Sequence, residues 1–239
     1  LSWVTGGRCW MSKGLFITAT GTDVGKTYAT ALLVKKLVQA GLKAGYYKAA
    51  LSGAEYRDGV LVPGDADYVQ QVAQPGQSYA EMVSYIYENA VSPYLAAQLE
   101  GNPVELARVQ SDFAAVCQKF DYVTMEGSGG IACPIRYDPE QQLMLTDIIQ
   151  ALHLPALVVA DAGLGTINAV VTTCAYMQSL AIPIAGVLLN NFVAGDRLHE
   201  DNRLMVERLA KVPVVAVLPP KADNIAISVE RLCSLYQEI

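Results

Sequence analysis

Histidine is nearly absent: His153 and His199 are the only two in 239 residues, far apart, and no histidine-based metal cage is spelled out. The five cysteines (Cys9, Cys117, Cys133, Cys174 and Cys233) are odd in number and form no C-x-x-C pair. That scatter argues against a disulfide framework and reads as incidental or buried thiols in a reducing, cytoplasmic compartment. No apolar run reaches membrane-spanning length, so no membrane role is expected. Basic residues are in deficit, 17 Lys and Arg against 23 Asp and Glu, for a formal charge of −6. Such a balance argues against a general nucleic-acid surface and leaves room for a local basic pocket that takes a phosphate-bearing ligand. The first ten residues, LSWVTGGRCW, lack the charged start and long apolar middle of a signal peptide. MSKGLFITAT, beginning at Met11, reads as a natural start, and residues 1–10 read as an appended or upstream leader.

What the chain does have is apolar residues in short, continuous runs. Hydrophobic types make up 52% of the sequence, enough for one sizeable domain with a buried core. The runs Leu15–Ala19, Ala44–Ala50, Tyr122–Met125, Ala156–Ala160, Ile184–Leu189 and Val214–Leu218 are each of strand length. Continuous rather than alternating hydrophobicity marks a parallel strand covered on both faces. Helical signals lie between them. After Thr27, Leu33, Leu37 and Ala40 share a face to be buried, Lys35, Lys36 and Gln39 share one to be exposed, and Gly41 marks the stop. Asn102 reads as an N-cap ahead of Pro103 and Glu105, with Leu106, Val109, Phe113 and Val116 recurring at helical spacing. A last helix is expected from Ser228 to Tyr236. The expected architecture is α/β: a doubly wound, mostly parallel sheet with helices on both faces, in a single domain over residues 11–239.

The sharpest local signal is LFITATGTDVGKT, from Leu15 to Thr27: a strand, a glycine-containing loop and a helix start. Gly25 allows the tight turn that aims successive N–H groups and the helix N-terminus at phosphates. Lys26 then places a cation on the β- and γ-phosphates of ATP, and the Thr27 hydroxyl is a magnesium ligand. Gly21, Thr22, Asp23 and Val24 supply the rest of the loop. The strict pattern G-x-x-x-x-G-K-[ST] wants glycine where Thr20 stands, with Gly21 beside it. The strand before and the helix after carry the P-loop NTPase-like assignment.

Magnesium needs further oxygen donors. Glu126 ends the run Tyr122–Met125 and precedes Gly127, Ser128, Gly129 and Gly130, so it falls at the carboxyl end of a strand, where open parallel sheets bind ligands. Asp65, in Gly64-Asp65-Ala66-Asp67, reads either as a second metal ligand or as a helix N-cap, and spacing alone does not choose. Lys48 stands inside an apolar run that ends at the same edge and could hold a transferring phosphoryl group together with Ser52.

Together these segments resemble the dethiobiotin synthetase family, from about Lys13 to Asn224. ATGTDVGKT is similar to its phosphate loop, with Ala19 where glycine is usual. KAALSG resembles the end of its second strand, keeping Lys48, Ser52 and Gly53 but with Ala49 for proline. MEGSGG, around Glu126, resembles its V-E-G-A-G-G, GDADYV places Asp65 at its acidic position, and Ser92-Pro93 resembles a segment beside its substrate. The resemblance implies that 7,8-diaminopelargonic acid takes up carbon dioxide as a carbamate, is phosphorylated by ATP with magnesium, and closes to dethiobiotin on the way to biotin. Lys26 and Lys48 would then stabilise the moving phosphoryl group, and Thr27, Asp65 and Glu126 would hold magnesium. Asp23 meets a substrate amine or a metal-bound water, or is a solvated loop carboxylate. Asp161 to Asn168 resembles the family's D-x-x-L-G-x-I-N turn. There Gly165, Thr166 and Asn168 of a second subunit would receive the substrate carboxylate, implying a homodimer; a plain helix cap by Thr166 or Asn168 is the other reading. Asn190 matches an adenine-reading asparagine, with a turn former as its alternative, and Pro219 would lie near the purine.

Two rivals come from other classes. A partitioning or division-site switch ATPase usually carries a signature lysine early in the loop, and none lies between Phe16 and Val24. A ring-closing or amide-forming ligase of cobalamin assembly usually adds an amidotransferase domain, for which 239 residues leave no room. A silent regulatory copy of the fold is disfavoured by the joint presence of Lys26, Thr27, Lys48 and Glu126.

Overall fold

The computed structural model describes residues 12–239; the leader expected at residues 1–10 and the start at Met11 lie outside the described residues. β1 (Lys13–Ala19) runs into α1 (Lys26–Gln39), and the chain returns as β2 (Ala44–Leu51). A hairpin of β3 (Glu55–Arg57) and β4 (Val60–Val62) leads to α2 (Gly64–Ala73), the short α3 (Tyr79–Met82) and β5 (Val83–Ile86). α4 (Pro93–Leu99) and α5 (Leu106–Cys117) precede β6 (Tyr122–Glu126). A second hairpin, β7 (Pro134–Tyr137) and β8 (Gln142–Met144), is followed by α6 (Leu145–Ala151) and β9 (Ala156–Asp161). Next come α7 (Thr166–Ser179), β10 (Ile184–Asn190), α8 (Arg197–Ala210) and β11 (Val214–Val217). α9 (Val229–Cys233) and β12 (Gln237–Glu238) close the chain.

The main sheet runs β11-β10-β9-β1-β6-β2-β5, and every neighbouring pair in that order is parallel. β12 adds an antiparallel pairing at the start of β1. Each expected strand is present, differing only at its ends. β1 sits mid-sheet and is buried on both faces: Phe16 packs with β2, α5, α6 and α7 residues on one side, while Leu15 and Ile17 pack against α1 on the other. Burial of such a side chain contributes about 1.5–3 kcal/mol before the ordering entropy is charged against it. The chain leaves β1 for β2 in one direction and reaches β9 in the other. That reversal opens a crevice at the carboxyl ends of the strands.

The short β5, β12 and the two hairpins lack an apolar run long enough to announce them; Glu55–Arg57 is exposed throughout. Three helix ends differ from expectation. α5 begins at Leu106 with Glu105 at its N-cap, so Asn102 and Pro103 lie ahead of the helix. The cause is tertiary: the Tyr87 hydroxyl donates to Asn102 O at 2.7 Å, and Glu105 N donates to the Tyr85 hydroxyl at 3.0 Å, which holds that stretch out of the helix. Ala40 is exposed at the end of α1 rather than buried. The last helix is a short turn, capped by Ser228 Oγ accepting from Arg231 N at 3.1 Å.

α1 is braced by the end of the chain. Tyr28 donates to Ala222 O, Lys35 Nζ to Asp223 O at 2.9 Å and Lys36 Nζ to Ile225 O at 3.3 Å. Ile239 N donates to Ser12 O at 3.0 Å, at the foot of β1. The lysines expected to be simply exposed are thus half-buried fasteners.

At the N-terminus of α8, Asp196 Oδ1 accepts from Leu198 N at 2.9 Å and His199 N at 3.0 Å. Asp196→Ala is expected to lower unfolding free energy by about 1 kcal/mol, read by urea titration. A change below a few tenths would mean that water replaces the cap fully.

Candidate active site

The phosphate loop leaves β1 at Ala19 and enters α1 at Lys26. Gly25 has φ +89°, a left-handed conformation that L side chains rarely adopt. A Cβ there would lie 2.1 Å from Asn190 Nδ2, so the loop's turn and its packing against β10 both require glycine. Asn190 in turn donates to Val24 O at 3.1 Å, while its Oδ1 is buried without a partner. It fastens the loop from β10, the next strand but one from β1, and retains one free acceptor.

Behind the loop, Glu126 ends β6 with its side chain fully buried. One oxygen, Oε1, accepts from Thr27 Oγ1 at 2.8 Å and from both Lys26 Nζ and Lys48 Nζ at 3.0 Å. Lys48, 3% exposed, also meets Asp65 Oδ2 at 2.5 Å and Gly127 O at 3.4 Å. Burial opposes ionisation of Glu126, but the two ammonium groups outweigh it and hold the carboxyl at about 2, below its ordinary 4.5. Burial likewise pushes the Lys48 ammonium down, and the Glu126 and Asp65 carboxylates reverse that and hold it above the ordinary 10.5. The cluster is two cations against two carboxylates, balanced before any ligand arrives.

Lys26, Thr27, Lys48 and Asp65 of this cluster line a cavity of about 650 Å³ that brings together most of the expected residues, while Glu126 lies behind them and Val24 is not part of the lining. Gly21, Thr22, Asp23, Gly25, Lys26 and Thr27 line it from the loop, facing Lys48, Ser52 and Asp65. Ser92 and Pro93, at the start of α4, form the opposite lip. The cap reading of Asp65 fails: α2 starts at Gly64 with Pro63 at its N-cap, and the Asp65 side chain is turned to Lys48. Asp23 is exposed at φ +61°. Ser52 Oγ donates to Val91 O at 2.5 Å, tying the two lips together.

Other expected residues stand apart from this cavity. Asn190 lies just behind the loop, and exposed Pro219 follows Leu218, whose N donates to Leu189 O at 2.8 Å at the end of β10. Gly165, Thr166 and Asn168 sit at the start of α7, away from the lining. The cap reading of Thr166 and Asn168 fails as well. Gly165 is the N-cap, no side chain caps the helix, and Thr166 Oγ1 is buried without a partner.

Sequence reasoning missed Ser128 and Gly129, which line the cavity, although their motif was in view. It also missed Tyr46, whose hydroxyl reaches Glu126 Oε2 at 3.3 Å. The available signal was its position two residues before Lys48 on the same face of β2. Cys133, read as incidental, lines the cavity too; among the described residues every cysteine is unpaired.

The donors here are a hydroxyl and two carboxylates, all hard oxygens that suit a hard divalent cation. Among the described residues no group of three or more His, Cys, Asp and Glu is placed to hold a metal, so a cation would depend on ligand oxygens and water as well.

Glu126→Gln leaves Lys26 and Lys48 side by side without their buried counter-charge. A loss of about 3–5 kcal/mol in urea unfolding at neutral pH is expected. For a carboxyl lowered from 4.5 to about 2, the stabilisation is present above 4.5 and fades as pH falls toward 2. The variant's deficit should therefore shrink across that interval, and a deficit independent of pH would assign the stability to packing instead.

Comparison with known proteins places this geometry. A family described as an AAA domain matches residues 13–227. The ATP-dependent dethiobiotin synthetase BioD of Clostridium botulinum (strain ATCC 19397 / Type A) is 48% identical over 229 residues, covering 96% of this chain and all of that protein. That of Brachyspira hyodysenteriae is 48% identical over 208 residues, or 87% of this chain and 92% of the relative. Among solved structures, a ParA family ATPase from Chlorobium tepidum aligns with TM-score 0.56 at 14% identity, covering 89% of this chain and 86% of that one. The MinC:MinD complex of Aquifex aeolicus aligns with TM-score 0.54 at 13% identity, over 94% and 86%. These two likenesses concern the fold alone. Identity near one half along almost the whole sequence, on a parallel α/β fold that keeps Gly25, Lys26 and Thr27 at the start of α1, decides the matter: the chain belongs to the ATP-dependent dethiobiotin synthetase family.

Proposed function

We propose that the chain closes 7,8-diaminopelargonic acid with carbon dioxide to dethiobiotin, using ATP and magnesium, in biotin synthesis. The observation that carries this reading is the convergence of Lys26 and Lys48 on one buried carboxylate oxygen at the wall of a single cavity. Phosphoryl transfer asks chiefly for positioning and for cations around the moving group, and that pair supplies both.

One amine of the substrate takes up carbon dioxide as a carbamate. A carbamate oxygen attacks the γ-phosphorus, the bond to the bridging oxygen breaks, and ADP leaves. The second amine then attacks the carbonyl carbon of the mixed anhydride, loses a proton and expels phosphate as the five-membered ring closes. Lys26 neutralises the β- and γ-phosphate oxygens from the loop side and Lys48 the transferring group from the β2 side. Magnesium, when bound, would supply further positive charge to the phosphoryl chemistry; Thr27, Asp65 and Glu126 would hold it. Gly21, Thr22, Asp23, Val24 and Gly25 wrap the phosphates, with Asp23 close enough to the cavity to meet an amine. Ser52, Ser92 and Pro93 bound the diamine. The free Oδ1 of Asn190 suits an exocyclic amine of the base, beside Pro219.

The substrate's carboxylate is the part this cavity serves least. In our reading it is met by Gly165, Thr166 and Asn168 of a second copy, where the start of α7 presents N–H groups and a buried unpartnered hydroxyl just after the exposed Leu164. The working form is then a homodimer. Among the described residues no helix is long and apolar enough to cross a membrane. A cytoplasmic place of work belongs to the same proposed reading.

Phosphate release from ATP and magnesium with bicarbonate should depend on added diamine, yield dethiobiotin, and fall by at least about 100-fold in Lys26→Ala. Hydrolysis indifferent to the diamine, or none at all, would turn the reading toward a switch ATPase or a silent relative. Sedimentation should give a dimer at assay concentrations, and Thr166→Glu should raise KM for the diamine at least about tenfold with little change in KM for ATP. A fully active monomer would discard the shared-site part alone.

A further inference from the structure

We propose that the buried hydroxyl of Tyr46 is a positioning group for the metal–nucleotide site: by donating to Glu126 Oε2 it fixes the rotation of that carboxylate while the opposite oxygen exchanges partners. The inference rests on the reading that Glu126 helps to hold magnesium, and it concerns a residue to which that reading gives no role.

The two oxygens of Glu126 are served unequally. Oε1 accepts from three donors, Thr27, Lys26 and Lys48, at 2.8, 3.0 and 3.0 Å. Oε2 accepts from Tyr46 alone, at 3.3 Å. Two of the three donors on Oε1 are the loop groups that phosphates and a cation would draw away. Once they turn to the ligand, the carboxylate is left with Lys48 on that side, and nothing on Oε1 prevents it from swinging toward that ammonium.

Tyr46 is built to resist the swing. It lies two residues before Lys48 on β2, so both side chains emerge on the face that packs against α1 and α2. Its ring is fully buried among Ala31, Val34 and Val69, and it does not line the cavity, so no ligand competes for its hydroxyl. Its main chain is held at both ends by one side chain: Tyr46 N donates to Gln77 Oε1 at 2.7 Å, and Gln77 Nε2 donates to Tyr46 O at 3.0 Å. The 3.3 Å contact is longer than the about 2.7–2.8 Å usual between a hydroxyl and an oxygen. A carboxylate drawn toward three donors on its other oxygen accounts for that length, and release of Lys26 and Thr27 lets the bond shorten.

The test is calorimetric titration of Tyr46→Phe with ATP in excess magnesium and, separately, with ATP in EDTA. Kd for ATP with magnesium should rise about tenfold and Kd for metal-free ATP should stay within about twofold. Tyr47→Phe is the control. Its hydroxyl bonds Ser84 Oγ at 2.6 Å and Val109 O at 3.1 Å on the opposite face, and both constants should be unchanged. Equal losses with and without magnesium, or no loss at all, would overturn the positioning role. So would a Tyr46→Phe protein that fails to fold by circular dichroism, since the hydroxyl would then be structural. Wild-type protein that binds ATP equally well with and without magnesium would overturn the metal reading itself. Wild type that prefers the metal form, beside a variant that keeps the preference, removes Tyr46 alone.

Discussion

Everything at the carboxyl edge of this sheet is arranged around one buried anion. Glu126 is taken fully out of water, a step that costs several kcal/mol for a carboxylate unless its charge is met. It is met by lysines from two separate segments, one on the helix after β1 and one on β2. The carboxylate therefore fixes where the phosphate-loop helix starts relative to the second strand. It also lets two ammonium groups sit close together, which an unshielded pair would not tolerate. An incoming polyphosphate offers the same sign of charge that Glu126 already supplies. On the proposed function the site would trade one anion for another, with its cations already assembled around Glu126.

The fold makes that trade possible through register. β1 and β6 are paired in parallel, with Ile17 opposite Glu126, so the acid emerges just where the phosphate loop departs. β2 pairs with β6 on its other side, with Tyr47 opposite Met125, which carries Lys48 to the same level. A shift of one residue in either ladder would turn these side chains to the wrong face of the sheet. The same scaffold in ParA-like and MinD-like proteins carries little of this sequence, so the fold is shared where the site's residues need not be.

The parts of this arrangement that were legible in the sequence are those with strong local causes. Strands buried on both faces announce themselves as unbroken apolar runs, and a glycine followed by lysine and threonine between strand and helix has few other uses. Lys48 and Glu126 were visible because charge at the end of an apolar run is costly unless it works. What escaped depends on tertiary contacts. The start of α5 was misplaced because tyrosines from the neighbouring strand claim the backbone at Asn102 and Glu105. The two readings of Asp65 could be separated only by seeing that its carboxylate leaves the helix end for Lys48. Tyr46 hid among apolar neighbours, since nothing in a one-dimensional string tells a core tyrosine from one whose hydroxyl lands on a functional acid.

The last twenty or so residues carry almost none of the site, yet they grip both elements that frame the phosphate loop. Carbonyls between Ala222 and Ile225 hold three side chains of α1, and Ile239 is fastened to the foot of β1. Any coupling carried by such a brace is equal in both directions. Were these contacts to tighten as the loop closes on a phosphate, loosening the tail would weaken that closure by the same amount. The terminal segment thus helps to set where α1 and β1 stand, and with them the loop between the two, without lining the cavity.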